Sequence, residues 1–150
     1  MRFADMNAIR SLASEYKLLV VEDCDHAHGG ECNGYGAGAA GDAGTFSFQE
    51  SKLLTSGEGG MVITSKLECY EVLQTIVNCG RKSITDEFQI HALGSNYRMT
   101  ELQASLLIGQ IEMLPELREK RTKHAALLTR ELAGIPGIRT LPPQDRKAHV

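Results

Sequence analysis

A continuous apolar run near the start of the chain, LLVV at residues 18–21, constrains the fold more than any other feature. It directly follows residues 4–16, whose apolar side chains recur at helical spacing. A short apolar run directly after a helix is typical of a buried parallel strand. The run ends in Glu22 and Asp23, and polar residues at the carboxyl end of a parallel strand lie where open α/β sheets bind ligands.

Further strands and helices follow along the chain. Residues 45–48 and 61–64 have the composition and length of strands, whereas the glycine- and alanine-rich residues 29–44 predict a loop or tight turn. The helical patterns cover residues 67–77, a helix from Thr100 to Leu114, and a third helix from about Glu116 to Leu132. Mixed strands and helices predict an α/β fold. Three credible strands are fewer than a usual sheet contains, so we expect the chain to be a piece of a larger domain.

Composition argues against several classes of protein. Apolar residues make up 42% of the 150 residues and charged residues 23%, as in ordinary globular proteins. The net charge of −3 and the lack of a basic stripe argue against a nucleic-acid or membrane partner. No apolar run has membrane-spanning length, and no signal peptide follows Arg2. We expect a cytoplasmic protein with four reduced cysteines, namely Cys24, Cys32, Cys69 and Cys79.

Lys52 is the first candidate for chemistry. A lysine in a loop is usually a solvated surface charge. Here Ser47 lies shortly upstream on a predicted strand, and Gly57, Gly59 and Gly60 lie just downstream. A hydroxyl and glycine-exposed backbone N–H groups suit a phosphate-bearing ligand, and a lysine amine beside such a ligand can attack a carbonyl.

Two further positions are candidates for ligand binding, each with a structural alternative. Asp23 could bind a metal, act as a base or pair with a cation, or it could cap the turn that follows. Asn96 and Arg98 stand just before a helix, where they could bind a phosphate or cap that helix.

The spacing of four residues, Cys24, His26, His28 and Cys32, could indicate a zinc site. Structural zinc sites more often use a closely spaced cysteine pair together with a distant second pair. We therefore favour histidines beside a ligand pocket over zinc ligands, and expect no metal.

Several segments together resemble the DegT/DnrJ/EryC1/StrS family of sugar aminotransferases. They are ADM before the first helix, VVEDCDHAHGG, GDAGTFSFQESKLLTSGEGG with the strand MVIT, and GSNYRMTELQASLL before an Arg/Lys-rich helix. Their order and spacing match the family from Ala4 to about Leu132. The resemblance implies a homodimer and a fragment of the large domain of the type I (aspartate aminotransferase-like) transferase fold. It also implies a transaminase that moves an amino group from glutamate or glutamine to a keto-sugar or keto-cyclitol.

The resemblance further implies pyridoxal 5′-phosphate as the cofactor and a role for each of five residues. Lys52 would be the catalytic residue that holds the cofactor as an imine. Asp23 would pair with the pyridine nitrogen, His26 would lie beside the ring oxygen, and Ser47 would contact the phosphate. Asn96 would reach across the dimer to the phosphate held by the partner subunit.

The extent of the chain and its acceptor are expectations of the same resemblance. Because family members are more than twice as long, we assign residues 1–134 to the central and C-terminal part of the cofactor-binding large domain. Residues 135–150 are predicted to be a linker toward a small C-terminal domain. The EDCDH segment is most similar to branches that act on cyclic ketones, the scyllo-inosose-type aminotransferases and the aminohydroxybenzoate synthases, which leaves keto-cyclitol and nucleotide-linked keto-sugar acceptors open.

Two other functions compete with transamination. The family's sugar dehydratases replace the lysine with histidine, and Lys52 argues against that reaction. A chain of this extent could also be a non-catalytic fragment or binding module. We expect the chain alone to be a poor or inactive catalyst.

Overall fold

Our computed structural model describes residues 3–83 and 89–141 of the chain. This part contains five strands and three helices. In chain order they are α1 (Met6–Tyr16), β1 (Val21–Asp23), β2 (Glu31–Cys32), β3 (Tyr35–Gly36), β4 (Ala43–Ser47), β5 (Gly60–Ile63), α2 (Leu67–Val77) and α3 (Glu101–Leu132). This mixture confirms the predicted α/β class. Residues 142–150, most of the predicted linker, lie outside the described residues.

The main sheet has three strands in the order β1-β4-β5. Strands β1 and β4 are parallel, with Asp23 opposite Thr45, which confirms that the first strand belongs to a parallel pair. Strand β5 runs antiparallel to β4 and places Gly60 opposite Ser47. The carboxyl ends of β1 and β4 therefore meet at one edge of the sheet.

The first strand differs from its prediction in position and burial. It begins at Val21, because the backbone of Val20 is engaged by Asp42, whose carboxylate accepts from the Val20 N–H at 2.6 Å. Leu18, Leu19 and Val21 are 61%, 78% and 65% exposed, so the predicted buried run is open to solvent. Leu18 and Leu19 precede the strand, and within residues 3–83 and 89–141 no strand pairs with the outer edge of β1.

A short hairpin interrupts the segment predicted to be loop. Strands β2 and β3 pair antiparallel across Asn33 and Gly34, whose φ angles are 53° and 81°. Positive φ at both positions is typical of the two-residue hairpin turn with right-handed strand twist. Because each strand has only two residues, no alternation of side chains marks the hairpin in the sequence.

The C-terminal helices predicted on either side of Pro115 are one helix, α3. It begins at a capping box in which the Thr100 hydroxyl accepts from the Gln103 N–H at 3.3 Å, as the predicted start at Thr100 requires. A proline inside a helix removes one backbone hydrogen bond. Leu107 and Leu114, which precede the proline, pack against the core and hold this part of the helix in place.

The core is small and consists of two clusters joined by Phe46. One contains Cys24, Ala27 and Ala37 beneath the glycine- and alanine-rich segment. The other packs Phe48 and Leu54 against Leu107 of α3. The second cluster holds the helix against the residues that follow β4, which include Lys52. No helix among the described residues is long and apolar enough to cross a bilayer.

Candidate active site

Four of the predicted site residues lie on the two segments that leave the parallel strand pair. Asp23 ends β1 and Ser47 ends β4, and the two strands continue side by side because the Cys24 N–H donates to the Thr45 carbonyl at 2.9 Å. His26 follows β1 and Lys52 follows β4. The carboxyl edge of such a pair is where α/β sheets bind ligands.

The Lys52 amine lies between two side chains of the segment that follows β1. Its Nζ donates to Oδ2 of Asp25 at 2.5 Å and is 3.0 Å from Nε2 of His26. The Lys52 side chain is 10% exposed and that of Asp25 is 36% exposed. The hydrogen bond from Lys52 lowers the pKa of the Asp25 carboxyl. Lys52 is therefore a largely buried cation whose charge is balanced by a single carboxylate in direct contact.

A tight turn after β4 sets the position of Lys52. The Lys52 N–H donates to the Gln49 carbonyl at 3.0 Å, and the Gln49 N–H donates to the Ser47 hydroxyl at 3.3 Å. The Gln49 side chain in turn accepts from Ser51. A hydroxyl that accepts a bond still has its own proton to donate, so Ser47 retains a donor for an anionic ligand.

Side chains of helix α3 form hydrogen bonds with both segments of the site. Gln110 accepts from the Thr55 N–H at 3.0 Å and donates to the Thr55 carbonyl at 2.6 Å. Arg118 donates to the Gly29 carbonyl at 2.9 Å, beyond His26 on the other segment. One helix thus holds the segment that contains Lys52 and the segment that contains His26 in a fixed relation to each other.

The glycines after Lys52 were expected to expose backbone N–H groups to a phosphate, but the structure shows contacts within the loop and the sheet. The Gly57 N–H donates to the Thr55 hydroxyl at 3.0 Å, and Gly60 pairs with Ser47 in the sheet. Gly57 and Gly59 have φ of 81° and 151°, which a side chain would disfavour. These glycines therefore shape the return into β5, and the structure uses the Gly57 N–H within the loop instead of leaving it for a phosphate.

His28 is buried beside the Ser47 backbone. It is 2% exposed and lies between the rings of Phe46 and Phe48, at centroid distances of 5.6 and 5.7 Å. Burial lowers its pKa, and the nearby Ser47 backbone partly opposes that shift without reaching hydrogen-bond geometry. Neither ring nitrogen has a hydrogen-bond partner among the described residues. A buried imidazole without a partner is unusual and indicates a place where a polar ligand group could bind.

Asp23 and Asn96 make local contacts. The Asp23 carboxylate accepts from the Asp25 N–H at 3.3 Å, which is the turn-capping role open to it from the sequence. Asn96 accepts from Nε of Arg98 at 3.0 Å, and its backbone bridges to Asn78. Asn96 is thus hydrogen-bonded away from the Lys52 group of its own chain, and its predicted role in a partner's site stays a prediction.

Sequence analysis missed two carboxylates in this region. Asp25 is the ion-pair partner of Lys52. Glu22 anchors the glycine- and alanine-rich segment, because its carboxylate accepts three backbone N–H groups, from Gly38, Ala40 and Gly41 at 3.2, 2.8 and 2.6 Å. Three acidic residues within four positions at the end of a strand were the available signal, since that many carboxylates at one sheet edge need donors.

The residues with zinc-like spacing do not converge on one point. Within residues 3–83 and 89–141, no three His, Cys, Asp or Glu side chains form a group suited to a metal ion. Burial, helped by the Glu22 and Asp23 charges, raises the pKa of the Cys24 thiol to about 11. A thiol that keeps its proton is a poor metal ligand, since the thiolate is the binding form.

The remaining donor set fits pyridoxal phosphate. A shielded primary amine can attach an aldehyde, a carboxylate at the end of β1 can pair with a ring nitrogen, and a hydroxyl at the end of β4 can bind phosphate oxygens. The unpartnered nitrogens of His28 lie beside the same segment. These groups are of the chemical types that the resemblance requires, and their individual roles stay predictions.

Comparison with known proteins gives the same family. A sequence profile described as the DegT/DnrJ/EryC1/StrS aminotransferase family matches residues 2–150. A relative from Streptoalloteichus tenebrarius is 43% identical over 145 residues and has the provisional name of an L-glutamine:3-amino-2,3-dideoxy-scyllo-inosose aminotransferase. An L-glutamine:2-deoxy-scyllo-inosose aminotransferase from Streptomyces paromomycinus is 40% identical over 141 residues.

A solved structure confirms the predicted fold. The crystal structure of 3-amino-5-hydroxybenzoic acid synthase superposes with a TM-score of 0.90 at 33% identity, over 99% of this chain and 39% of that one. The two relatives are matched over 96% and 87% of this chain but over only 35% and 33% of their own lengths. The chain therefore spans about a third of the length of these relatives, and its α/β structure is that of a fragment of the type I fold.

Proposed function

The chain belongs to the DegT/DnrJ/EryC1/StrS aminotransferase family, and from this premise we propose that it supplies the cofactor-attaching segment of a pyridoxal-phosphate-dependent aminotransferase. The observation that carries the proposal is the environment of Lys52. Its amine is largely buried near the carboxyl edge of the parallel strand pair, in contact with Asp25 and His26. An amine in that setting can be a nucleophile toward a carbonyl when its proton is removed.

Each of the other site residues receives one task in this proposal. When bound, the cofactor supplies the ring that accepts electrons from the substrate carbon. Asp23, an exposed residue at the end of β1, would pair with the ring nitrogen and keep it protonated. Ser47 orients the phosphate by donating its hydroxyl proton, and His26 contacts the ring oxygen. Lys52 holds and then moves the proton at the reacting carbon once its amine is free.

The substrate class is proposed from the relatives. Both are named for L-glutamine as amino donor and for a scyllo-inosose derivative as acceptor. We assign this chain to the same class of reaction, transfer of an amino group from glutamine to a cyclic polyhydroxy ketone. The structural neighbour is likewise named for a product that carries an amino group on a six-membered ring, 3-amino-5-hydroxybenzoic acid.

The proposal includes a homodimer. Asn96 lies in an exposed segment just before α3, hydrogen-bonded to Arg98 instead of to Ser47 or Lys52. An exposed amide in that position is free to serve the phosphate of a partner subunit. Dimerisation and a cytoplasmic location both stay predictions.

Covalent trapping of the cofactor tests the proposal. The protein at its natural length is mixed with pyridoxal 5′-phosphate and reduced with borohydride, and peptide mass spectrometry then locates the modified lysine. We expect modification at Lys52 and its complete loss in Lys52→Ala. Lys66→Ala is the matched control, because Lys66 also pairs with an aspartate at 2.5 Å. It lies between β5 and α2, at the end of β4 opposite to Ser47. Modification spread over many lysines, with none preferred, would refute the assignment.

A further inference from the structure

We propose that Asp25 is a positioning residue for Lys52, binding its protonated amine in a direct ion pair at the carboxyl edge of the sheet when that amine is not attached to the cofactor. This inference rests on the proposed function and adds to it a residue outside the set that sequence analysis selected. Asp25 would favour release of Lys52 and oppose its re-attachment.

The contact that carries the inference spans 27 residues of sequence. The 2.5 Å separation of Nζ and Oδ2 joins the segment after β4 to the segment after β1. Lys52 is the less exposed partner, 10% against 36%, so its charge has little access to water and depends on the carboxylate. Removing Asp25 would therefore leave a largely buried cation without its direct counterion.

The groups around the ion pair also support a direct role for Asp25. His26 lies 3.0 Å from the amine and 3.4 Å from the Asp25 carboxylate, so it contacts both members of the pair. His28 is close enough for the charges of Lys52, Asp25 and His26 to act on its titration. Asp23 orients Asp25 by accepting its backbone N–H. Asp25 is thus the one carboxylate that the described residues bring into contact with the amine.

The proton balance explains how such a contact acts. An ammonium must lose one proton before its nitrogen attacks an aldehyde carbon, and forming the carbon–nitrogen double bond releases one water. When a substrate amine takes that carbon, Lys52 leaves as a free amine and becomes an ammonium again by gaining one proton. An adjacent carboxylate stabilises the ammonium, so it favours the released state and slows attachment.

Competitive labelling of lysines tests the inference without any cofactor. The protein at its natural length is treated with a trace of isotopically labelled acetic anhydride near pH 7, and the label at each lysine is measured by mass spectrometry. Only the free amine reacts, and we expect Asp25→Asn to raise labelling of Lys52 severalfold, because the variant removes the carboxylate that lies 2.5 Å from its Nζ. Asp25→Glu should restore most of the protection.

A second ion pair supplies a reciprocal control. Asp42 contacts Lys66 at 2.5 Å at the start of β4, away from the site. Asp42→Asn should raise labelling of Lys66 and leave Lys52 unchanged, whereas Asp25→Asn should do the reverse. A general rise at all lysines in Asp25→Asn would mean loosened structure and would overturn the inference, as would unchanged labelling of Lys52.

Cofactor trapping separates this inference from the proposed function. With pyridoxal 5′-phosphate in place of the anhydride, Asp25→Asn should show faster borohydride-trapped modification at Lys52. Absence of trapping in the unaltered protein would refute the proposed function, and the acetylation result would still decide the role of Asp25. Normal trapping with equal rates in both proteins would refute the role of Asp25 alone.

Discussion

Lys52 and Asp25 are two residues whose chemistry is set by a single contact. Each alone would be an ordinary solvated charge. Their separation of 2.5 Å, with the lysine largely buried, makes each the counterion of the other. Lys52 was predicted from its local neighbours, whereas Asp25 was not, because nothing in its own segment indicates a partner 27 residues away.

His28 leads to a prediction at the same scale about acid sensitivity. Burial lowers its pKa below the usual 6.5, so the folded protein resists a proton that the unfolded chain accepts. Stability from the neutral imidazole is complete above about pH 6.5 and is lost as the pH falls below it. We expect the free energy of unfolding to fall as the pH drops below about 6.5, by at most about 1.4 kcal/mol per pH unit from this one group.

Denaturant titration at several pH values measures this effect. The decline over that range should be smaller in His28→Leu and unchanged in His124→Gln, because His124 is exposed on α3. The carboxyl groups with lowered pKa, Asp25, Asp42 and Glu119, respond at more acidic pH and do not overlap this window. An identical pH dependence in the unaltered protein and His28→Leu would contradict the prediction.

At the scale of elements, β4 depends on a close approach of two backbone segments. A Cβ at Gly44 would meet the Cα of Gly38 and lie 2.6 Å from its carbonyl oxygen. The Gly38 N–H also donates to Glu22 of β1. The absence of a side chain at Gly44 therefore lets the glycine- and alanine-rich segment cover both parallel strands.

We expect Gly44→Ala to destabilise the protein by about 1–3 kcal/mol or more, because backbone atoms are what the new methyl group meets and they cannot rotate away. The measurement is the free energy of unfolding from a denaturant titration. Gly36→Ala is the control, since a Cβ there meets nothing within 4 Å. If both variants were equally stable, the close approach would not matter as argued.

Helix α3 is longer than its sequence indicates. Pro115 predicts a break, yet α3 runs from Glu101 to Leu132. Its contacts to Thr55 and Gly29, through Gln110 and Arg118, lie on both sides of the proline. Continuity lets one helix hold both loops of the site in a fixed relation.

At the scale of the whole molecule, much apolar surface is uncovered. Leu18 and Leu19 just before β1 and Val21 at its start are mostly exposed, and so are Leu102, Leu106 and Ile108 of α3. Apolar surface concentrated along a free strand edge is a site for association with another segment or chain. The chain spans about a third of its relatives' length, and their additional segments are candidates to cover this surface.

We therefore expect the 150-residue chain, prepared alone, to self-associate and to bind a dye specific for exposed apolar surface. Size-exclusion chromatography with light scattering and dye fluorescence measure these properties. Leu19→Lys places a charge in the exposed apolar segment that leads into β1 and should reduce both, whereas Leu93→Lys, at an exposed position away from that segment, is the matched control. A monomeric chain that binds no dye would show that the surface is less adhesive than its composition indicates.

The sequence alone determined the features that depend on neighbouring residues. Helical spacing and caps located α1, α2 and the start of α3, and the segment around Lys52 indicated both the family and the lysine. Tertiary structure decided the features that depend on residues far apart: the contact of Asp25 with Lys52, the anchoring of the Gly38 segment by Glu22, and the continuity of α3. The physical reason is that periodicity and capping are recorded within a few residues, whereas ion pairs and packing arise only when sheet register and helix docking bring distant segments together.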